Sequence, residues 1–151
     1  MEVKVKNIIL RLLTLIPAGV LIFSAVTKTI SFNEFAESNE QFLIGLTNQS
    51  INTNSLIPIV ITVIILSVEI IVGILLIIRY KEPLVLTGGA ILFLVFLIVN
   101  AIKILQGETD NCGCFGEVID TSVYSIFYLD LLLFLMPLIV LKISNSKTQV
   151  I

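Results

Sequence analysis

The chain has 151 residues, 57% of them hydrophobic and 13% charged, with a mean hydropathy of +1.10. A water-soluble fold of this size cannot hide so much apolar surface, so the composition excludes an ordinary globular domain and places the chain in a bilayer. A formal charge of −2 says little about partners, but no basic cluster points to nucleic acid, and the lack of histidine removes the usual haem ligand, the commonest zinc ligand and the usual neutral-pH proton carrier.

Four stretches reach the roughly 20 mostly apolar residues that a spanning helix needs: about Asn7 to Thr29, Leu56 to Ile78, Leu84 to Leu105 and Val123 to Ile143. The first follows Lys4, Lys6 and Arg11 as a secretion signal would. It is too long for a signal core, however, and Phe23 to Ile30 has no small-residue cleavage site, so it reads as a retained span. In the following loop, Ile30 to Ser55, the residues Phe32, Phe35, Ala36, Phe42, Leu43 and Leu46 recur at near-helical spacing, with Glu34, Glu37 and Glu40 between them. This pattern predicts an amphipathic segment that lies on the bilayer surface or caps the bundle. Pro58 and Pro83 fall in the first turns of spans two and three, where a missing N–H costs little. The expected fold is a single-domain, all-α membrane bundle of four helices.

Lysine and arginine set the expected orientation. Lys4, Lys6, Arg11, Arg79, Lys81, Lys142 and Lys147 fall on one side. The other side has Lys28 and Lys103 against Glu34, Glu37, Glu40, Glu108, Asp110, Glu117 and Asp120. The positive-inside rule then puts both termini in the cytoplasm and both long loops outside it.

The second of those loops holds the only two cysteines, in the run Cys112-Gly113-Cys114-Phe115-Gly116. Outside the cytoplasm, disulfides form and persist. Two thiols separated by one glycine can close a small ring, and glycine supplies the backbone freedom the turn needs. Disulfide geometry prefers Cα atoms about 5.5–6 Å apart, which such neighbours reach in few conformations, so the bond is strained and belongs with the labile or catalytic kind. Gly116 adds further freedom, and Phe115 is placed to anchor the loop in the lipid interface or the bundle mouth. Other readings stay open. A metal can sit between the sulfurs with Asp110 and Glu117 or a second chain supplying ligands, although no four-ligand closed zinc site is visible. The pair can also simply shape the loop.

Ionisable groups inside spans are costly and are functional candidates by default. Glu69 is the deepest, about 20 Å from the outer end of span two by helical rise. Pro17 and Pro137 lie at a similar depth and free the carbonyls of Leu13 and Leu133, so a protonated Glu69 donating to one of them is one expectation. Asp130 lies two turns into span four, with Asn100 and Lys103 in the outer third of span three and Lys28 at the end of span one. Lys28 or Lys103 can neutralise Asp130 or raise the thiolate fraction of a nearby cysteine. Snorkelling to the headgroups accounts for both lysines equally well. Small residues such as Ala18, Gly19, Gly73, Gly88, Gly89 and Ala90 suit close helix packing.

The four spans, with Asp110-Asn111-Cys112-Gly113-Cys114-Phe115-Gly116 ahead of the last helix, resemble the methylamine-utilisation protein MauE family, which is related to DoxX-like membrane proteins. Ser24 with Lys28 resembles the family's serine–lysine signature, Phe35 falls where an apolar residue is expected, and Glu69 with Gly73 resembles its glutamate–glycine pair. The resemblance runs over most of the chain. It implies a redox-associated protein of a bacterial cytoplasmic membrane that helps mature disulfide-bonded extracytoplasmic proteins. On that reading Cys112 and Cys114 exchange a disulfide, Gly113, Phe115, Gly116, Lys28, Lys103, Asp130 and Glu69 support them, and electrons pass onward to a membrane quinone or to a partner, with no resident metal. Two features depart from the family pattern. Leu129 stands where relatives often carry a basic residue. The sequence also ends soon after Ile143, whereas some relatives continue into a thioredoxin-like domain, so the expected thiol partner acts in trans. The alternatives are a non-enzymatic assembly subunit or chaperone, and a metal-handling membrane protein.

Overall fold

The computed structural model describes residues 2–47, 56–107 and 122–145. They form α1 (Glu2–Ile30), α2 (Phe32–Thr47), α3 (Ile57–Ile78), α4 (Pro83–Leu105) and α5 (Val123–Asn145), with no strand among the described residues. Four of the five, α1, α3, α4 and α5, are long and apolar enough to cross a membrane. The four expected spans agree with them to within a few residues.

The helix boundaries follow from local chemistry. Pro58 lies in the first turn of α3 and Pro83 begins α4, where no intrahelical N–H is lost. Glu82, preceding Pro83, is extended at φ −76°, ψ 123°, as a residue before proline prefers. At the far end of α4, the Gln106 N–H bonds the Ile102 carbonyl at 3.0 Å, and Gly107 then takes φ +79°, the left-handed turn that stops a helix. Hydroxyls inside the spans bond back to their own helix: Thr14 to the Leu10 carbonyl at 3.1 Å, Thr29 to Ala25 at 2.7 Å and Ser67 to Val63 at 2.7 Å. Lipid offers no other acceptor.

α1 packs on α3, α3 on α4, α4 on α5 and α5 back on α1. Inside this ring Leu10, Ala18, Leu21, Leu76, Leu86, Phe93, Leu133 and Val140 form the core. The outward faces remain apolar, as at Ile64, Ile71, Ile98 and Leu132, and these are the lipid-facing surfaces. Small residues allow two close seams. Gly73 lies against Ala18, Leu21 and Ile22 of α1, and Gly89 lies against Leu76 of α3.

α1 and α3 are staggered. Lys28, two residues from the end of α1, meets Glu69, which lies twelve residues into α3. By helical rise α1 therefore stops roughly 15 Å short of the end where α3 begins. α2 fills that gap. Phe35 and Ala36 are buried, Asn39 Nδ2 donates to Thr62 Oγ1 of α3 at 2.9 Å, and Gly45 lies against the Gln106 side chain beyond α4. Of the two placements expected for the amphipathic segment, α2 takes the one that caps the bundle.

Candidate functional site

Cys112, Gly113, Cys114, Phe115 and Gly116 lie outside the described residues. The two ends of their loop are described: Ile104 near the end of α4 packs against Val123 and Ile126 at the start of α5. The loop thus leaves and re-enters the bundle at one place, at the end that α2 caps.

Beneath that end lies a buried polar cluster. Lys28 Nζ donates to Glu69 Oε1 in an ion pair whose side chains are 4% and 0% exposed. The ammonium also sits over two rings, 4.9 Å from the centroid of Phe35 and 5.2 Å from that of Phe96. A carboxylate and two aromatic faces together take the place of water around a cation. Across the bundle, Asn100 Nδ2 donates to Asp130 Oδ2 at 2.7 Å, tying α4 to α5. A void of about 30 Å³, lined by Ser24, Lys28, Phe93, Phe96 and Asp130 among others, lies between the two pairs. It has room for one water with three polar partners.

A second, larger cavity of about 340 Å³ lies on the other side of Lys28. Its walls are Ile61, Ile64, Ile65 and Val68 of α3, Leu92, Val95, Phe96 and Val99 of α4, and Phe35, Phe42 and Leu43 of α2. Its polar groups are the ammonium donors Lys28 and Lys103 and the Asn39 amide. Lys103, 6% exposed, donates to Ser38 Oγ of α2 at 3.2 Å. Ile64, Val68 and Val95 are both wall residues and part of the exposed outer face, so the cavity opens sideways between α3 and α4 towards lipid.

Three expectations change. Lys28 and Lys103 do not snorkel: the stagger of α1 sinks Lys28 to the level of Glu69, and α2 closes over Lys103. Glu69 does not donate to the carbonyls freed by Pro17 or Pro137, because Lys28 reaches its carboxylate first. Lys28 is therefore paired with Glu69, and the described bond to Asp130 comes from Asn100. The sequence does hold a signal for the α2 contact. Asn39 is spaced i+4 from Phe35 and i−3 from Phe42, a polar residue on the apolar stripe, and such a residue asks for a buried partner.

The fold and this cluster define a polytopic integral membrane protein with a charged centre inside its bundle. Two weaker elements of the family resemblance, Ser24 with Lys28 on α1 and Glu69 with Gly73 on α3, lie on the two helices of one seam. The sequence profile described as methylamine utilisation protein MauE matches residues 6–143, and the chain belongs to that family. No curated protein and no solved structure matches the chain.

Proposed function

We propose that this protein is a membrane thiol–disulfide exchanger of the methylamine-utilisation type, acting from the extracytoplasmic side of a bacterial cytoplasmic membrane. The observation that carries the reading is the Cys-Gly-Cys run as the sole cysteines of a MauE-family chain, directly before the last span. Ile104, Val123 and Ile126 hold the two described flanks of the cysteine run together at one end of the bundle, which suits a docking partner there. The balance of the step is simple. A substrate dithiol attacks the Cys112–Cys114 disulfide through a mixed disulfide, leaving an oxidised substrate and two thiols on the loop. The reduced pair is reset by passing two electrons and two protons to a lipid-soluble quinone, which leaves as the quinol.

Acid quenching of intact cells followed by a membrane-impermeant maleimide tests this. The expected result is a pair labelled only after reduction, whose redox state shifts when respiration is blocked. Of Cys112→Ser and Cys114→Ser, the variant that loses the resolving sulfur is expected to hold a reducible mixed disulfide with a partner, and the other to show one labelled thiol. Two thiols that are always free, with full function in the serine variants, would instead point to a scaffold.

A further inference from the structure

Three features of the 340 Å³ cavity constrain what it holds. Its opening between α3 and α4 faces lipid, so its ligand arrives from the bilayer. Its volume is near the lower end of small-molecule sites, about 300–1,000 Å³, which suits a head of one or two rings rather than a whole phospholipid. Its only charged groups are two ammonium donors, joined by the Asn39 amide, whose Nδ2 is already given to Thr62, and no carboxylate lies in the wall.

The positions of these donors narrow the ligand further. Lys103 is seven residues from Phe96 on α4, about 10 Å along the axis, whereas Lys28 Nζ lies 5.2 Å from the Phe96 ring. The two lysines are therefore anchored at different levels of the bundle, with Phe35, Phe42 and Phe96 among the cavity walls. A fatty acid presents its oxygens at one end only and brings a charge, whereas the Lys28 charge is already balanced by Glu69. A flat, neutral ring with acceptor oxygens on opposite edges satisfies both levels, and its apolar tail leaves through the lipid-facing opening.

We propose that this cavity is the binding site for a lipid-soluble quinone, with Lys28 and Lys103 as donors to its two carbonyl oxygens and Phe35 and Phe96 against the ring. The assignment rests on the exchange reading for its purpose and on the cavity alone for its location. Hydrogen bonds from ammonium groups stabilise the added charge of a reduced ring more than the neutral one, so the site also favours reduction.

The test uses full-length protein with Cys112→Ser and Cys114→Ser, in phospholipid nanodiscs, labelled with an azido-benzoquinone carrying a decyl tail and mapped by mass spectrometry. The expected crosslinks fall within residues 61–68 of α3 or 92–99 of α4 and are competed away by unlabelled decyl-benzoquinone. Val99→Phe, which fills the cavity, is expected to lower labelling at least tenfold. Lys103→Met is expected to weaken binding about tenfold. Ile65→Phe serves in place of Val99→Phe if the latter fails to fold, as judged by its elution in size-exclusion chromatography. Labelling elsewhere, labelling untouched by both filling variants, or equal competition by oleate overturns the assignment. Because the thiols are absent from the assay, it separates the two proposals. Quinone bound in a protein whose cysteines never cycle in cells removes the exchange reading and keeps the site, and a cycling pair without quinone binding does the reverse.

Discussion

At the scale of single residues, the Lys28–Glu69 pair is the most consequential contact in the molecule. A buried ion pair is not in itself a large source of stability, since both ions lose their water. Removing one partner is another matter, because it leaves the other charge alone in a low-dielectric interior. Lys28→Met and Glu69→Gln are each expected to destabilise the fold by about 3–5 kcal/mol, and the double variant by clearly less than their sum. Denaturation of all four proteins in the same detergent measures this, and strict additivity would show that the two side chains do not act as a pair. Much of this cluster was visible in the sequence as a set of ionisable residues inside spans. Which of them pair was not, because both opposite charges near Lys28, at Glu69 and Asp130, lie on other helices. Only the stagger of α1 decides between them.

At the scale of elements, the spans were legible because lipid leaves so few options: a run of 20 apolar residues can only be a helix that satisfies its own backbone. Their seams were less so. Several small residues looked equally suited to close packing, yet only some are used that way. A Cβ at Gly73 would lie 2.9 Å from Ile22 Cγ1 and 3.4 Å from the Ala18 carbonyl oxygen, whereas one at Gly88 meets nothing within 4 Å. Gly73→Ala is therefore expected to cost about 1–3 kcal/mol through overpacking at the α1–α3 seam. Gly88→Ala is expected to be neutral or to stabilise by up to about 1 kcal/mol through helix propensity. Thermal unfolding of the two variants side by side checks the contrast, and equal effects would show that the α1–α3 seam is not tight. α2 was legible as an amphipathic helix from its apolar stripe. Its place within the bundle was not, since a stripe that faces lipid headgroups and one that faces other helices have the same period.

At the scale of the whole molecule, the distribution of basic residues gives an orientation that can be checked directly. Reporter fusions at the C-terminus are expected to behave as cytoplasmic, and those inserted after Gly107 as extracytoplasmic. The reverse pattern would put the cysteines in a reducing compartment and remove the basis for disulfide exchange. The stagger of α1 also has a consequence for how the protein is made. Lys28 and Glu69 are 41 residues apart in the chain, so the lysine is delivered to the membrane well before its counter-ion has been synthesised. α2 depends on later segments too, because its contacts at Thr62, Lys103 and Gln106 all follow it in the chain. Lys28 lies two residues from the end of α1, so the first span on its own keeps the ammonium at the headgroups by sitting shallower in the bilayer. It sinks to its final depth once the third helix arrives with Glu69 to neutralise the charge. The order of translation is thus written into the assembly, with the N-terminal helix among the last to reach its final depth.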